Sequence, residues 1–464
     1  MRLLRLLTAC AVLTAGCTLG PGYKRPDTDL PAGADATNYT VFTQQNWWSM
    51  FSDEVLNQME DTALKYNWDL KATVARVDQA RAAVTIAGAD QLPSVSASGS
   101  SGREGNALGS GESTSRAGLN VSFELDLWGK YRRLKESARA KLLATEAARD
   151  TVRLTLTADV AKQYFTMLML DNQIKIARQT LEARQENVRI YQSRYEAGYA
   201  TEVDVRRVQA NMSSVKAEEE NLRLQLSKTE TALSVLLGKS PRAMLEETIQ
   251  RGKSLNEIIL VPDVPANLPS DLLERRPDVM TAEENLVAAN ADIGVARTAY
   301  FPSISLTAAA GYASNALTGL FSGNSGVWNL ASSMEAPIFE GGKIKAQNKQ
   351  AEAKYQEVLA DYQKTVQLAF KEALDAINSN QMYRQIYESY LSQTNDMRRS
   401  YELTKKQEDA GLIGVTDLLS VEETLLSSEM NLSTARKNEL DAVVDLAKAL
   451  GGGWTAQDIK QVHK

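Results

Sequence analysis

Histidine is almost missing from this chain: His463, beside the C-terminus, is the only one in 464 residues. That scarcity excludes catalysis built on a histidine base and metal sites built on imidazoles. There are two cysteines, Cys10 and Cys17, too few for a disulfide framework. No apolar run approaches the roughly 20 residues that a transmembrane helix needs, and even YFTMLML, from Tyr164 to Leu170, is far too short. Any membrane crossing must therefore use strands. A net charge of −6 offers no cationic surplus for nucleic acid. The stretch LLGKS, Leu236–Ser240, ends like a phosphate loop but carries Leu233 where the first glycine belongs, so Gly238 reads as a helix terminator. No catalytic constellation is visible, and neither a metal nor a cofactor is expected.

What is present begins with MRLLRLLTACAVLTAGC. Arg2 and Arg5 precede a short apolar core, and small residues precede Cys17, as in a secretory signal peptide that ends in a lipobox. Residues 1–16 are thus expected to leave, taking Cys10 with them and lowering the net charge by two, from −6 to −8. Cys17 would then be the only thiol. Acylation by a diacylglycerol and an N-acyl chain would remove a free thiol and supply a firm anchor. Thr18 follows Cys17 where an acidic residue would signal otherwise, which by resemblance to bacterial sorting rules points to the outer membrane.

The remainder is an internal duplication. DLKATVARVDQARAAVTIAGADQLPSVS, from Asp69, overlays DVMTAEENLVAANADIGVARTAYFPSIS, from Asp278, without a gap. Past the strands, Gly129-Lys130 matches Gly342-Lys343, Ala197-Gly198 matches Ala410-Gly411, and Leu237-Gly238 matches Leu450-Gly451. Each copy reads helix, strand, Gly/Ser-rich loop, strand, very long helix, glycine turn, long helix. The first repeat spans 17–277, with strands near 93–128, long helices near 130–237 and a connector at 238–277. The second spans 278–464, with strands near 302–339, long helices near 343–450 and a tail at 451–464.

Helix gives way to strand at Pro93 and Pro302, because the residue before a proline is pushed out of the α region. Val121, Phe123, Leu125 and Leu127 alternate with Asn120, Ser122, Glu124 and Asp126, and Trp328, Leu330, Met334 and Ile338 share a side in the fourth strand. Neither Gly nor Pro occurs from Lys130 to Ala197 or from Lys343 to Ala410, so each stretch reads as a helix on the order of 100 Å long. Val160, Met167, Ile174, Leu181, Val188 and Tyr195 recur every seventh residue, as in a coiled-coil seam. Tyr362, Ala369, Ala376, Tyr383, Tyr390 and Met397 do the same in the second copy. A sheet in lipid must close, the smallest membrane barrels need about eight strands, and one chain offers four. Copies must therefore pool strands.

The turns RYEAGYATEVDV and QEDAGLIGVTDLL break the long helices. Gly198 and Gly411 are placed to take left-handed caps, Thr201 and Asp204 have capping-box spacing, and Gly414 and Asp417 have a cap-like arrangement.

Over nearly its whole mature length the chain resembles the outer-membrane efflux protein family, the TolC-type channels, and within it the OprM-like lipoprotein branch. The segments that carry this are CTLGPGYKRP, NWWSMFSDEVLNQMEDTAL, ELDLWGKYRR, LPSDLLERRPDV, IGVARTAYFPSISLT and LAKALGGGW. The resemblance implies a mainly α fold with a membrane β-barrel. Specifically, it implies a homotrimer with a 12-stranded barrel continuous with a periplasmic 12-helix tube and a mixed equatorial region. It also implies a passive exit duct, in the outer membrane, of a tripartite multidrug pump. The partners would be a periplasmic adaptor and an inner-membrane transporter of the resistance-nodulation-division type. By the same resemblance, Gly198, Tyr199 and Ala200, with Gly411, Leu412 and Ile413, would form adaptor-docking turns. Thr416, Asp417 and Ser420 would sit at the periplasmic gate, Asp417 matching the first of two carboxylates found in some relatives and Ser420 standing where the second would be. Two alternatives remain at this point: a type I protein-secretion duct, and a coiled-coil lipoprotein scaffold that opens no pore. LPSDLLERRPDV also reads as a connector, with Arg275 and Arg276 paired locally, and Trp47 and Trp48 read as packing anchors.

Overall fold

The computed structural model describes residues 18–28, 46–105, 111–258 and 275–452. Cys17, His463 and most of LPSDLLERRPDV lie outside the described residues. In chain order the elements are α1 (Glu54–Tyr66), α2 (Trp68–Ala89), β1 (Ser94–Gly105), β2 (Gly111–Glu124), α3 (Lys130–Glu196), α4 (Glu202–Leu236) and α5 (Pro241–Glu246). These are followed by α6 (Pro277–Thr298), β3 (Ser303–Ser314), β4 (Gly326–Glu335), α7 (Lys343–Asp409) and α8 (Val415–Ala449). The duplication is visible in the lengths: α3 and α7 have 67 residues each, α4 and α8 have 35, α2 and α6 have 22, and β1 and β3 have 12.

The residues group into two compact units that cut across both repeats. One takes the chain up to Thr28, Ala75–Ala147 and Met280–Thr365. The other takes the stretch ending at Val74, Ala148–Val279, and the chain from Val366 onward. The duplication is therefore one of sequence elements and not of separately folding bodies.

In the first unit the four strands form one antiparallel sheet in the order β1-β2-β3-β4. Sequence alternation continues to Leu127, but β2 stops at Glu124, because Asp126 turns inward to accept from the amides of Tyr131 (3.1 Å) and Arg132 (3.0 Å) at the start of α3. β4 likewise stops at Glu335, before Ile338. Trp128 donates from its indole to the Pro302 carbonyl at 2.7 Å and packs on Phe301.

In the second unit Trp47, Phe51, Tyr164 and Phe165 form a buried aromatic cluster with edge-on and tilted contacts. Trp47 and Trp48 are packing anchors, as expected. The Asp53 side chain caps α1 by accepting from Val55 and Leu56, and its other oxygen accepts from the Tyr164 hydroxyl at 2.8 Å and from the Lys253 amide at 3.0 Å. Arg276 reaches far beyond local pairing. It meets Asp278, but it also binds Glu372 at 2.6 Å and donates to the Ala449 carbonyl at 3.0 Å, closing the C-terminus of α8.

The coiled-coil seam holds where it is deepest. Val160, Met167, Ile174 and Leu181 are buried. Nearer the tip it departs from the predicted track: Tyr195 is exposed, while Ala177, Arg184 and Tyr191 are buried instead. A helix of 3.6 residues per turn drifts about 20° per strict heptad, which carries the contact onto the neighbouring row.

Candidate functional site

The sheet has two chemically distinct faces. Val121 pairs with Ala308 and through it with Leu330, and Leu119 pairs with Ala310 and through it with Trp328. This face is exposed, with Trp328 82 % and Leu330 74 % accessible. On the opposite face Ser94 meets Ser122 at 2.7 Å, Ser305 meets Ser333 at 2.7 Å, and Asn120 donates to Ser98 at 2.8 Å. Gly118 and Gly311 pair on this polar face. A Cβ at Gly118 would lie 2.8 Å from the Ala310 carbonyl, and one at Gly311 would overlap that of Ala117. The two strands approach closely at this pair, and neither position has room for a side chain. Among the described residues no strand pairs with the free edges of β1 and β4. No helix among them is long and apolar enough to cross a membrane.

The two helix turns are built alike. After α3, the Gly198 amide donates to the Tyr195 carbonyl (3.0 Å) and that of Tyr199 to Arg194 (2.8 Å), with Gly198 at φ +80°. After α7, Gly411 donates to Glu408 (2.8 Å) and Leu412 to Gln407 (2.9 Å), with Gly411 at φ +72°. Both are Schellman caps, which satisfy terminal carbonyls through a left-handed residue. Thr201 and Asp204 form the expected capping box. Gly414 supplies no side chain, so Asp417 contributes only its amide, which donates to the Gly414 carbonyl at 3.2 Å. Tyr199 and Leu412 are strongly exposed, Ile413 only partly so. Thr416, Asp417 and Ser420 all face solvent in the single chain.

Just behind these turns four helices are tied together. Tyr191, Val208, Val415 and Leu419 form a buried cluster with Ala200 packed against it. Arg207 on α4 donates to the Thr416 hydroxyl on α8 at 2.7 Å. Glu408 accepts from Tyr191 and from Arg194, each at 2.6 Å. Burial pushes the Glu408 carboxyl up, but the hydrogen bonds from Tyr191 and Arg194 outweigh it and hold the group below the usual glutamate range. Deeper in, Glu422 accepts from Asn187 at 3.3 Å and faces Arg184. Here burial wins: it raises the Glu422 carboxyl despite Arg184, and it lowers the Arg184 guanidinium.

The chain just after Cys17 forms a strap in the first unit. The Leu19 amide donates to Trp128, and Arg133 donates to the carbonyls of Leu19, Gly20 and Pro21 at 3.1–3.4 Å. Gly20, at φ +105°, sits where a Cβ would lie 2.6 Å from the Gly294 Cα. Farther along, Tyr23 (3.2 Å) and Arg25 (2.7 Å) both donate to Glu283. Thr18 therefore lies against Gly129, at the level where the strands pass into α3.

A model of outer membrane efflux proteins matches residues 60–239 and 268–452. The chain belongs to the outer membrane efflux protein family. It is 34 % identical over 97 % of its length to the probable efflux pump outer membrane protein TtgC of Pseudomonas putida, covering 96 % of that protein. It is 32 % identical to the cation efflux system protein CusC of Escherichia coli, covering 97 % of this chain and 99 % of that one. Among solved structures, the Campylobacter jejuni CmeC outer membrane channel superposes with a TM-score of 0.90 at 27 % identity, covering 97 % of this chain and 98 % of that one. The two matched segments of the family model straddle the internal duplication. An outer-membrane efflux protein with this fold is a transport component of the outer membrane, and the resemblance read from the sequence is upheld.

For an efflux protein the useful residues are those that hold the tip and the strap, and most escaped sequence reading. Arg184 gave one missed signal, since it is a charge whose neighbours at seven-residue spacing, Ala177 and Tyr191, are apolar. Arg133, Arg207 and Glu408 gave none, because their partners lie more than a hundred residues away in sequence.

Proposed function

We propose that three copies of this chain form a continuous outer-membrane exit duct for small compounds. The observation that carries the reading is the sheet: two open edges, a polar face lined by paired serines, and an exposed apolar face suited to lipid. In a bilayer the unpaired edge groups of β1 and β4 have no water to bind, so neighbours must supply partners. Two copies would give eight strands, an interior that side chains fill, whereas three give twelve and leave a passage. A non-conducting scaffold has no use for this sheet.

Energy comes from the partners, a periplasmic adaptor and an inner-membrane transporter of the resistance-nodulation-division type. The adaptor docks on the exposed turns around Tyr199 and Leu412, supported by the exposure of both side chains. Thr416, Asp417 and Ser420 line the entrance, where three copies of Asp417 form an anionic ring. Cys17 carries the acyl chains, and the strap supports this by holding Thr18 at the strand ends, level with the membrane surface. Similar identity to TtgC, named for an efflux pump, and to CusC, named for cation efflux, supports a substrate choice made by the transporter and not by the duct. The test is reconstitution in planar bilayers: discrete single-channel steps are expected, and a silent bilayer overturns the reading.

A further inference from the structure

Beside the strap lies a groove of about 520 Å³ that the duct reading leaves without a role. Its walls are Gly20 of the strap, Arg297, Tyr300 and Phe301 at the end of α6, and Lys345 and Lys349 on the first turns of α7. Lys345 and Lys349 are one helical turn apart and therefore neighbours on one helix face. Both are exposed, and neither meets a carboxylate among the described residues. The single acidic counterpart, Glu352, meets Arg297 at 3.4 Å with both side chains about half exposed, a pairing that neutralises little. Three cations thus share one weakly held carboxylate. The wall is rigid, because Asn348 between the lysines is buried and donates to the carbonyls of Ala296 and Ile344 at 2.9 and 3.0 Å.

Position identifies the ligand. Tyr300 and Phe301, half exposed, directly precede Pro302 and the start of β3, where aromatic side chains mark the boundary between hydrocarbon and water. Gly20 is three residues from Cys17. The apolar face of β3 begins at Ile304, three residues after Phe301 of the groove wall. We propose that the groove binds the phosphate headgroup of an anionic glycerophospholipid of the inner leaflet, with Lys345, Lys349 and Arg297 around the phosphate and the acyl chains running along the apolar face of β3. Basic pockets at the membrane surface select anionic headgroups in this way. The bound lipid would sit beside the protein's own acyl anchor and seal the junction between sheet and helices. This inference rests on the reading that the strands span the membrane.

The test uses the full-length acylated protein in detergent, exposed in turn to phosphatidylglycerol and phosphatidylcholine, with retained lipid counted by native mass spectrometry. Wild type should retain phosphatidylglycerol in preference to phosphatidylcholine. The K345Q/K349Q variant should bind it roughly 30-fold more weakly, as two lysines at an anionic surface imply. The charge-matched K354Q/K364Q control on the same helix should behave as wild type. Inorganic phosphate in large excess should not displace the lipid. Equal retention of the two lipids, equal retention by K345Q/K349Q, or displacement by phosphate each overturns the proposal, the last by making the groove a free-anion site. Single-channel recording of the same preparations keeps the two readings apart: a protein that conducts but shows no lipid preference loses the groove and keeps the duct.

Discussion

Arg184 Nε and Glu422 Oε2 lie 3.7 Å apart, 5 % and 6 % exposed, and neither atom has a hydrogen-bond partner. The pair joins α3 to α8 behind the helix tips at salt-bridge distance, without the hydrogen bond that would offset the loss of water around both charges.

A pH dependence follows. Burial raises the Glu422 carboxyl above its unfolded value, so its contribution to stability is fully present below the ordinary glutamate pKa and is lost as pH rises through the folded one. Hydrogen-exchange protection around Arg184 and Glu422 is expected to increase as the pH falls from neutral toward that of an ordinary glutamate. Glu422→Gln should show the high protection at every pH. Protection that rises with pH, or an unchanged pH profile in the variant, contradicts this.

The second glycine turn is sensitive to conformation and not to crowding. Gly411 sits at φ +72° with no atom within 4 Å of an added Cβ. Gly411→Ala should therefore destabilise the tip by about 1 kcal/mol, and Gly411→Asn by less, because asparagine tolerates the left-handed region. Local exchange rates at Ala410 to Val415 measure the difference.

Gly311 behaves in the opposite way. A side chain there collides with the Ala117 carbonyl of the paired strand, so Gly311→Val should abolish the heat-modifiable oligomer band. Gly323→Val, in open space between β3 and β4, should leave that band intact.

Much of this architecture was legible in the sequence because it is periodic. The two prolines, the missing Gly and Pro over each long helix, and the 209- and 213-residue offsets located the strands and long helices of both repeats, but not α1 or α5. The turns at Gly198 and Gly411 and the box at Thr201 and Asp204 were readable because a cap is a local pattern. Strand ends were not, since Asp126 leaves the alternation to bind α3. The tip network was hidden for a related reason. Tyr191 and Glu408 are 217 residues apart, and no spacing rule connects them. Arg276 was read as a local partner because its nearest carboxylate, Asp278, is local, while its bonds to Glu372 and Ala449 depend on the folded chain.

Arg276 is accordingly a strong structural determinant. Arg276→Met removes the donor to the buried Ala449 carbonyl, while Glu372 stays hydrated, and should cost roughly 1–3 kcal/mol. Lysine, with a single point charge, should restore only part of that. Thermal melting of the purified protein gives the comparison.

The central claim is that neighbouring copies close the barrel through β1 and β4. It is tested most directly by joining those edges. A chain carrying Ala97→Cys and Leu330→Cys, both on the apolar face, is treated in membranes with a short thiol-reactive cross-linker and run on a denaturing gel. Bands at one, two and three chain masses, with nothing larger, are the predicted result. A single monomer band, or a ladder that continues past three, would contradict it.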